Sequence, residues 1–158
     1  MKYQARKKCK TTNMLFMTDK NGNFLACSDP ISGNHNDSYE LLENFKKMKA
    51  FTLLKDADMP VLNADSGFDS MPFFICCTEN NVIPNIKDNI RNRRFIDEDS
   101  SKLLFPSDYT KRFVIERSFA WLDSFKLLLI RYEVQSTKWL QLHFLAFSIL
   151  MLKKYNFL

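Results

Sequence analysis

The sequence predicts an α/β domain with a mixed sheet, and two observations predict it. Short apolar runs alternate with helical patterns in the order hairpin, helix, strand, helix, strand, helix, helix, which is typical of strands connected through helices. The chain has 158 residues, of which 46% are hydrophobic and 15 are Phe. That is too apolar for a disordered chain and long enough to form one core. We therefore treat residues 1–158 as a single domain.

The first element after a basic N-terminal stretch is a predicted β-hairpin. Two apolar runs, 13–18 and 24–28, flank the segment Asp19-Lys-Asn-Gly-Asn23. An Asn-Gly pair readily adopts positive φ and favours a tight turn between strands. Asp is common in such turns because its carboxylate bonds nearby backbone N–H groups, so we interpret Asp19 as a turn residue.

The middle of the chain alternates helix and strand. Asp37 with Glu40 forms a capping-box pattern that predicts a helix to about Leu54. The run 59–64 predicts a strand that ends at Asp65, and a short helix with Pro72 in its first turn follows. The run 82–87 predicts another strand.

The second half is predicted to be helical after a loop. Residues 88–106 are polar and of mixed charge, which indicates an exposed loop. Ser107 is the predicted cap of a long helix to about Arg131, and Thr137 begins a last helix to Lys154. The apolar part of that last helix contains His143 and is shorter than the ~20 residues of a membrane span. We expect it to be core, and we expect no association with a membrane.

The charge of the chain is concentrated in a basic arm, residues 1–12. There are 23 Lys+Arg and 18 Asp+Glu, a net charge of +5, and five basic residues with no acidic one lie in the arm: Lys2, Arg6, Lys7, Lys8 and Lys10. This distribution excludes a uniformly basic nucleic-acid-coating protein. Two interpretations of the arm stay open, contact with the DNA backbone and a solvated tail.

The cysteine pattern and the N-terminus predict a cytoplasmic protein. Cys9, Cys27, Cys76 and Cys77 form no CxxC pair and have no metal-site spacing, which fits a reducing compartment. The apolar run after the arm is too short for the core of a signal peptide.

Two carboxylates are candidate functional groups. Asp65 lies where an apolar strand ends, the position at which open α/β sheets bind ligands, although it could instead only cap its turn. Tyr109, Arg112 and Glu116 have the spacing of one helical face. A solvated Arg–Glu pair would explain them, but the apolar neighbours of Glu116 predict a buried helix, where a carboxylate needs a partner or a metal.

These residues carry a resemblance to a known family. Tyr109, Arg112 and Glu116 match the Tyr-x2-Arg-x3-Glu signature of DDE-type insertion-sequence transposases, and the segments 63–69 and 32–37 are similar to two further blocks of that family. The resemblance covers the chain from about Tyr3 to Lys154. It implies a ribonuclease-H-like fold and metal-dependent cleavage and transfer of DNA strands at insertion-sequence ends.

The resemblance also implies residue roles. Three carboxylates would hold two divalent ions, usually Mg²⁺, with Asp65 as the second carboxylate and Glu116 as the third. Tyr109 and Arg112 would contact DNA. The family usually has a Lys seven residues after the Glu, where this chain has Asp123, so Arg117 and Lys126 are the candidates for that DNA contact.

The family's first Asp lies on a central first strand, upstream of the region that resembles Lys2 to Lys10. We therefore expect a truncated form that lacks this strand and is inactive alone. A homo-oligomer, or an N-terminal segment encoded upstream, would then be a partner besides the transposon-end DNA. The alternatives are a catalytically inactive remnant that retains at most DNA binding, and a small basic nucleic-acid-binding protein of other ancestry.

Overall fold

The computed structural model describes residues 2–4, 9–36, 38–51, 59–89 and 104–157. It divides the chain into two compact units. Unit 1 consists of Met1–Asn34 and Phe113–Leu158, and unit 2 is His35–Arg112. Each unit is described below by itself.

The described residues of unit 1 form two small antiparallel sheets and three helices. Its elements are β1 (Lys2–Gln4), β2 (Cys9–Asn13), β3 (Phe16–Thr18), β4 (Phe24–Cys27), β5 (Ile31–Ser32), α4 (Val114–Leu122), α5 (Lys126–Leu129) and α6 (Ser136–Lys154). The first sheet has the order β1-β2-β5, and β3 pairs with β4 in the second. The pairing of Phe16 with Cys27 and of Thr18 with Phe24 confirms the predicted hairpin.

The hairpin turn is organised by Asp19, as the sequence predicts. Its Oδ1 accepts hydrogen bonds from the backbone N–H groups of Asn21 and Asn23, each at 2.8 Å. Its Oδ2 accepts from the side-chain amide of Asn23 at 2.7 Å. Gly22 has φ +84°, a conformation in which glycine has no steric penalty. Local chemistry therefore fixes this turn.

The core of unit 1 is formed by the hairpin and one face of α6. Phe24 stacks on Phe147 with ring centroids 4.5 Å apart, and Trp139 and His143 are buried on the same helix. Arg131 links the segment before α6 to β2, because it donates to Thr12 Oγ1 at 2.8 Å and lies over the Trp139 ring. These contacts confirm the last helix as core.

His143 is a core histidine, as predicted, and its ring nitrogen Nδ1 lies 2.9 Å from the carbonyl oxygen of Trp139. Burial lowers the pKa of His143 below its usual value, because burial disfavours the charged imidazolium.

We expect unit 1 to lose stability as the pH falls below about 6.5, the ordinary histidine pKa. The unfolded chain then binds a proton at His143 that the folded unit does not, so the free energy of unfolding falls by at most about 1.4 kcal/mol per pH unit. Urea unfolding at pH 7.5, 6.5 and 5.5 measures the effect. The variant His143→Gln cannot titrate, and an equal pH dependence in it would contradict the assignment.

In unit 2 the described part of the chain forms a parallel strand pair and three helices. Its elements are α1 (Leu41–Phe51), β6 (Val61–Ala64), α2 (Met71–Glu79), β7 (Ile83–Ile86) and α3 (Pro106–Tyr109), with 3-10 turns at Ser66–Phe68 and Thr110–Phe113, the latter extending one residue into unit 1. Strands β6 and β7 pair in parallel, from Val61 with Ile83 to Ala64 with Ile86. Phe45 of α1 and Phe73 of α2 meet edge to face in its core. The two predicted strands and the helix with Pro72 in its first turn are confirmed.

Three cysteines are free and buried, namely Cys27 in unit 1 and Cys76 and Cys77 in unit 2. Burial raises the pKa of the Cys27 and Cys77 thiols to about 12. These thiols therefore stay protonated and serve as small apolar core groups.

The predicted long helix from Ser107 to Arg131 is wrong. The segment is divided into α3, the 3-10 turn Thr110–Phe113, α4 and α5. Helix α3 begins at Pro106 with Phe105 as its cap residue, so Ser107 is not the cap. Phe125 has φ −87° and ψ 89°, which is not helical and separates α4 from α5. The predicted burial of α4 is also wrong at Glu116, whose side chain is exposed.

The predicted single mixed sheet is replaced by three separate small sheets. The basic arm contains strands, because Tyr3 pairs with Lys10. The cap Asp37, most of the loop 88–106 and residues 52–58 lie outside the described residues. The ribonuclease-H-like topology and the single domain stay predictions. None of the helices in the described part of the chain has the length and apolar character needed to cross a bilayer.

Candidate functional site

Asp65 follows the last residue of β6, at the carboxyl end of the parallel strand pair. Its Oδ1 accepts a hydrogen bond from the Ser66 N–H at 2.7 Å, which caps the 3-10 turn Ser66–Phe68. The side chain is nevertheless 66% exposed. Asp65 therefore caps the turn and still presents its carboxylate to solvent. The carboxyl end of parallel strands is where ligands bind in open α/β sheets.

Arg112 lies beside Asp65. Its Nη1 is 3.6 Å from Asp65 Oδ1, and its guanidinium carbon lies 5.1 Å from the centroid of the Tyr109 ring. Residues three apart eclipse each other in a 3-10 turn, which explains why Arg112 lies over Tyr109. Three of the sequence-predicted site residues are thus brought together in unit 2.

A buried asparagine that the sequence analysis missed positions this group. Asn85 of β7 is 1% exposed, and its Nδ2 donates to Asn63 Oδ1 at 2.6 Å and to the Phe105 carbonyl at 2.9 Å. Its Oδ1 accepts from the Phe105 N–H at 3.2 Å. Asn85 therefore fixes the start of the segment that carries Tyr109 and Arg112 against the strand pair that carries Asp65.

A second tie holds the turn after Asp65. Asp69 Oδ2 accepts a hydrogen bond from the Asn89 N–H at 2.7 Å. This bond joins the turn to the residues that follow β7. The sequence signal for Asn85 is a polar residue between Pro84 and Ile86 in an apolar strand.

The other predicted site residues lie in unit 1. Glu116 is exposed in the first turn of α4, and Arg117 follows it, donating from Nη2 to the Asn21 carbonyl at 3.4 Å. Lys126 is exposed at the start of α5. Arg6, Lys7 and Lys8 lie outside the described residues, and Lys10 lies in β2.

The Asp65 carboxylate can serve as one ligand of a divalent cation. A carboxylate oxygen is a hard donor, and Mg²⁺ keeps several waters while binding one or two carboxylates and the substrate phosphates. Within the described ranges no three His, Cys, Asp or Glu side chains are grouped as a ready-made metal site. Asp65 would therefore act together with an oxygen from the substrate.

The sequence of the chain matches the family model of the transposase DDE domain over residues 1–151. The chain belongs to the transposase DDE domain family. Members of this family act on DNA and generally use divalent metal ions. No curated protein and no solved structure matches the chain. The mixed α/β architecture, with its small sheets and helices, is consistent with a DDE transposase domain.

Proposed function

We propose that this DDE transposase domain cleaves and transfers DNA strands at insertion-sequence ends with the help of a divalent cation, Mg²⁺ in the first instance. The observation that supports this most is the Asp65–Arg112 pair at the carboxyl end of β6, in a chain that matches the family over 151 residues. A carboxylate for a cation and a guanidinium for a phosphate lie side by side there.

Each residue has a proposed role. Asp65 and Glu116 are each proposed as a carboxylate ligand for a divalent cation, as the family resemblance implies, and a bound cation would activate the attacking oxygen and stabilise the leaving one. Arg112 holds a phosphate of the DNA, and Tyr109 supports the plane of its guanidinium. Arg117, Lys126 and the basic arm provide further contacts to the DNA backbone.

Arg112 is placed to contact a phosphate close to Asp65. Its Nη1 lies 3.6 Å from Asp65 Oδ1, and the planar guanidinium has a shape that suits phosphate oxygens. The Arg112 side chain is 27% exposed, so part of it faces solvent. A phosphate that binds there would lie near the Asp65 carboxylate, and a divalent cation held by Asp65 would offset the repulsion between the two anions.

The test compares the DNA affinity of the parent chain with that of Asp65→Asn, first without and then with divalent cations. The proposal predicts that the tighter binder changes from the variant to the parent chain when the cation is added. Without divalent cations the variant is expected to bind duplex DNA carrying the element's ends about three- to tenfold more tightly, because a negative charge near the phosphate is removed. With Ca²⁺ or Mg²⁺ the parent chain gains affinity and the variant does not. Fluorescence anisotropy measures both, and Asp69→Asn is the matched control.

Binding is the primary readout because it does not require a complete catalytic set. Strand cleavage is measured in the same samples with Mg²⁺ and with Mn²⁺. Any cleavage is expected to disappear in Asp65→Asn and in Glu116→Gln, and to persist in Glu133→Gln. If divalent cations raise the DNA affinity of the parent chain and of Asp65→Asn by the same factor, the proposal is contradicted.

A further inference from the structure

Two cations in unit 1 meet at one backbone oxygen. Lys154 Nζ donates to the Asn21 carbonyl at 2.6 Å, and Arg117 Nη2 donates to the same oxygen at 3.4 Å. Because both nitrogens bond one oxygen, they are at most 6.0 Å apart. Both also lie over Trp121, at 5.3 Å for Arg117 and 5.6 Å for Lys154. We call Arg117, Trp121 and Lys154 the cation platform.

Within the described residues of unit 1, no acidic side chain neutralises the positive charge of the platform. Among the residues that the structure describes, no carboxylate lies within salt-bridge distance of Arg117 or Lys154. The turn carboxylate, Asp19, is engaged by the N–H groups of Asn21 and Asn23 and by the Asn23 amide. The acceptors of the two cations are neutral amide oxygens, so a positive potential is left at the surface.

The platform is held in a fixed geometry. Asn23 is buried, and its Oδ1 accepts from Lys154 Nζ at 2.9 Å while its Nδ2 donates to Tyr155 Oη at 3.1 Å. The buried Ser118 Oγ donates to the Gly22 carbonyl at 2.8 Å, which fixes α4 against the same turn. An anion would therefore meet side chains that are already ordered, which lowers the entropy cost of binding.

We propose that the cation platform binds the phosphate backbone of DNA, as a contact in unit 1 separate from the Asp65–Arg112 pair in unit 2. Two cations close together suit an anion, and Trp121, which is 36% exposed, offers an aromatic surface for a sugar or base. Unit 1 has 12 Lys+Arg and 5 Asp+Glu, a net +7, against 11 and 13 in unit 2, a net −2. The choice of DNA as the ligand rests on the proposed function.

The test is the salt dependence of DNA binding. The logarithm of the binding constant falls as the logarithm of the salt concentration rises, and each lost phosphate contact makes this negative slope shallower by about 0.9. We expect this reduction in Arg117→Gln and in Lys154→Gln, with equal loss of affinity for element-end and scrambled duplexes. Lys138→Gln, which changes an exposed lysine at the other end of α6, is the matched control and should leave the slope unchanged.

Folding and direct contact are checked separately. Arg117→Lys and Lys154→Arg keep the charge and should restore the slope, and thermal unfolding shows whether each variant is folded. DNA is expected to change the fluorescence of the parent chain but not of Trp121→Phe, which keeps the buried Trp139. An unchanged slope in folded Arg117→Gln and Lys154→Gln would overturn the proposal, as would an equal fluorescence change with polyglutamate.

These results are independent of the Asp65 test. A platform-dependent slope without the Asp65→Asn reversal would support the platform and contradict the cation-binding role proposed for Asp65. The reversal with an unchanged slope would support the role of Asp65 and contradict the DNA contacts proposed for Arg117 and Lys154.

Discussion

Asn85→Ala is expected to lower the free energy of unfolding of unit 2 by about 2–4 kcal/mol, because it removes three hydrogen bonds made by one buried side chain. Asn63 Oδ1 and the Phe105 N–H lose the Asn85 partner, whereas the Phe105 carbonyl keeps its bonds from the Asp108 and Tyr109 N–H groups. The Asn85 site is only 1% exposed, so water cannot easily replace the side chain. Leaving a buried polar group without a partner costs about 1–3 kcal/mol each.

Hydrogen exchange of the β6 and β7 amides measures this loss in unit 2 itself. Asn80→Ala is the matched control, since Asn80 makes a single bond to a backbone carbonyl, to Cys76 at 2.7 Å, and should lose about 1 kcal/mol or less. The DNA affinity that depends on Arg112 should fall with Asn85→Ala, because the segment after Phe105 is no longer fixed. If Asn85→Ala and Asn80→Ala lose the same amount of stability, the bonds of Asn85 to Phe105 do not contribute to the stability of unit 2.

Gly22→Ala is expected to lower the free energy of unfolding of unit 1 by about 2–4 kcal/mol. An alanine at φ +84° is strained by about 1–2 kcal/mol. Its Cβ would also lie 2.8 Å from Ser118 Oγ and 3.2 Å from Val114 Cγ1, and such overpacking typically costs 1–3 kcal/mol.

Gly67→Ala is the matched control, because a Cβ there meets no atom within 4 Å and Gly67 has no positive φ. Urea unfolding of both variants should show a loss for Gly22→Ala and a change within about 0.5 kcal/mol for Gly67→Ala. If Gly22→Ala leaves the urea midpoint unchanged, the hairpin turn does not depend on this glycine.

The elements that the sequence predicted correctly are those specified by local chemistry. The hairpin depends on Asp19, Asn21 and Gly22, which are neighbours in the chain. Strands β6 and β7 are short apolar runs bounded by polar residues, and α6 is a mostly apolar run that is too long for one strand. In each case the residues that decide the structure lie within a few positions of one another.

The long helix was predicted wrongly because the helix propensities of the residues at its breaks do not indicate an interruption. No glycine or proline separates α4 from α5, and the break lies at Phe125, which packs partly buried against the unit 1 core. Tertiary packing of this kind overrides helix propensity. The same limit applies to the pairing of the basic arm with β5, which joins residues about twenty positions apart.

The candidate site was predicted in part. The position of Asp65 at a strand end follows from the pattern of apolar residues, and the neighbourhood of Asp65, Tyr109 and Arg112 agrees with the transposase signature. The supporting bonds of Asn85 join residues twenty and twenty-two positions away, so they could not be read from spacing. The cation platform depends on a contact between residues 133 apart, for the same reason.

The buried thiols give each unit an internal chemical reporter. Alkylating reagents attack the thiolate, and with pKa values raised to about 12 Cys27 and Cys77 are almost entirely protonated at neutral pH. Labelling of Cys27 therefore records the opening of unit 1, while labelling of Cys76 and Cys77 records that of unit 2. Mass spectrometry of the labelled peptides resolves the two units in one sample, so the effects of Gly22→Ala and Asn85→Ala can be assigned without separating the chain into parts.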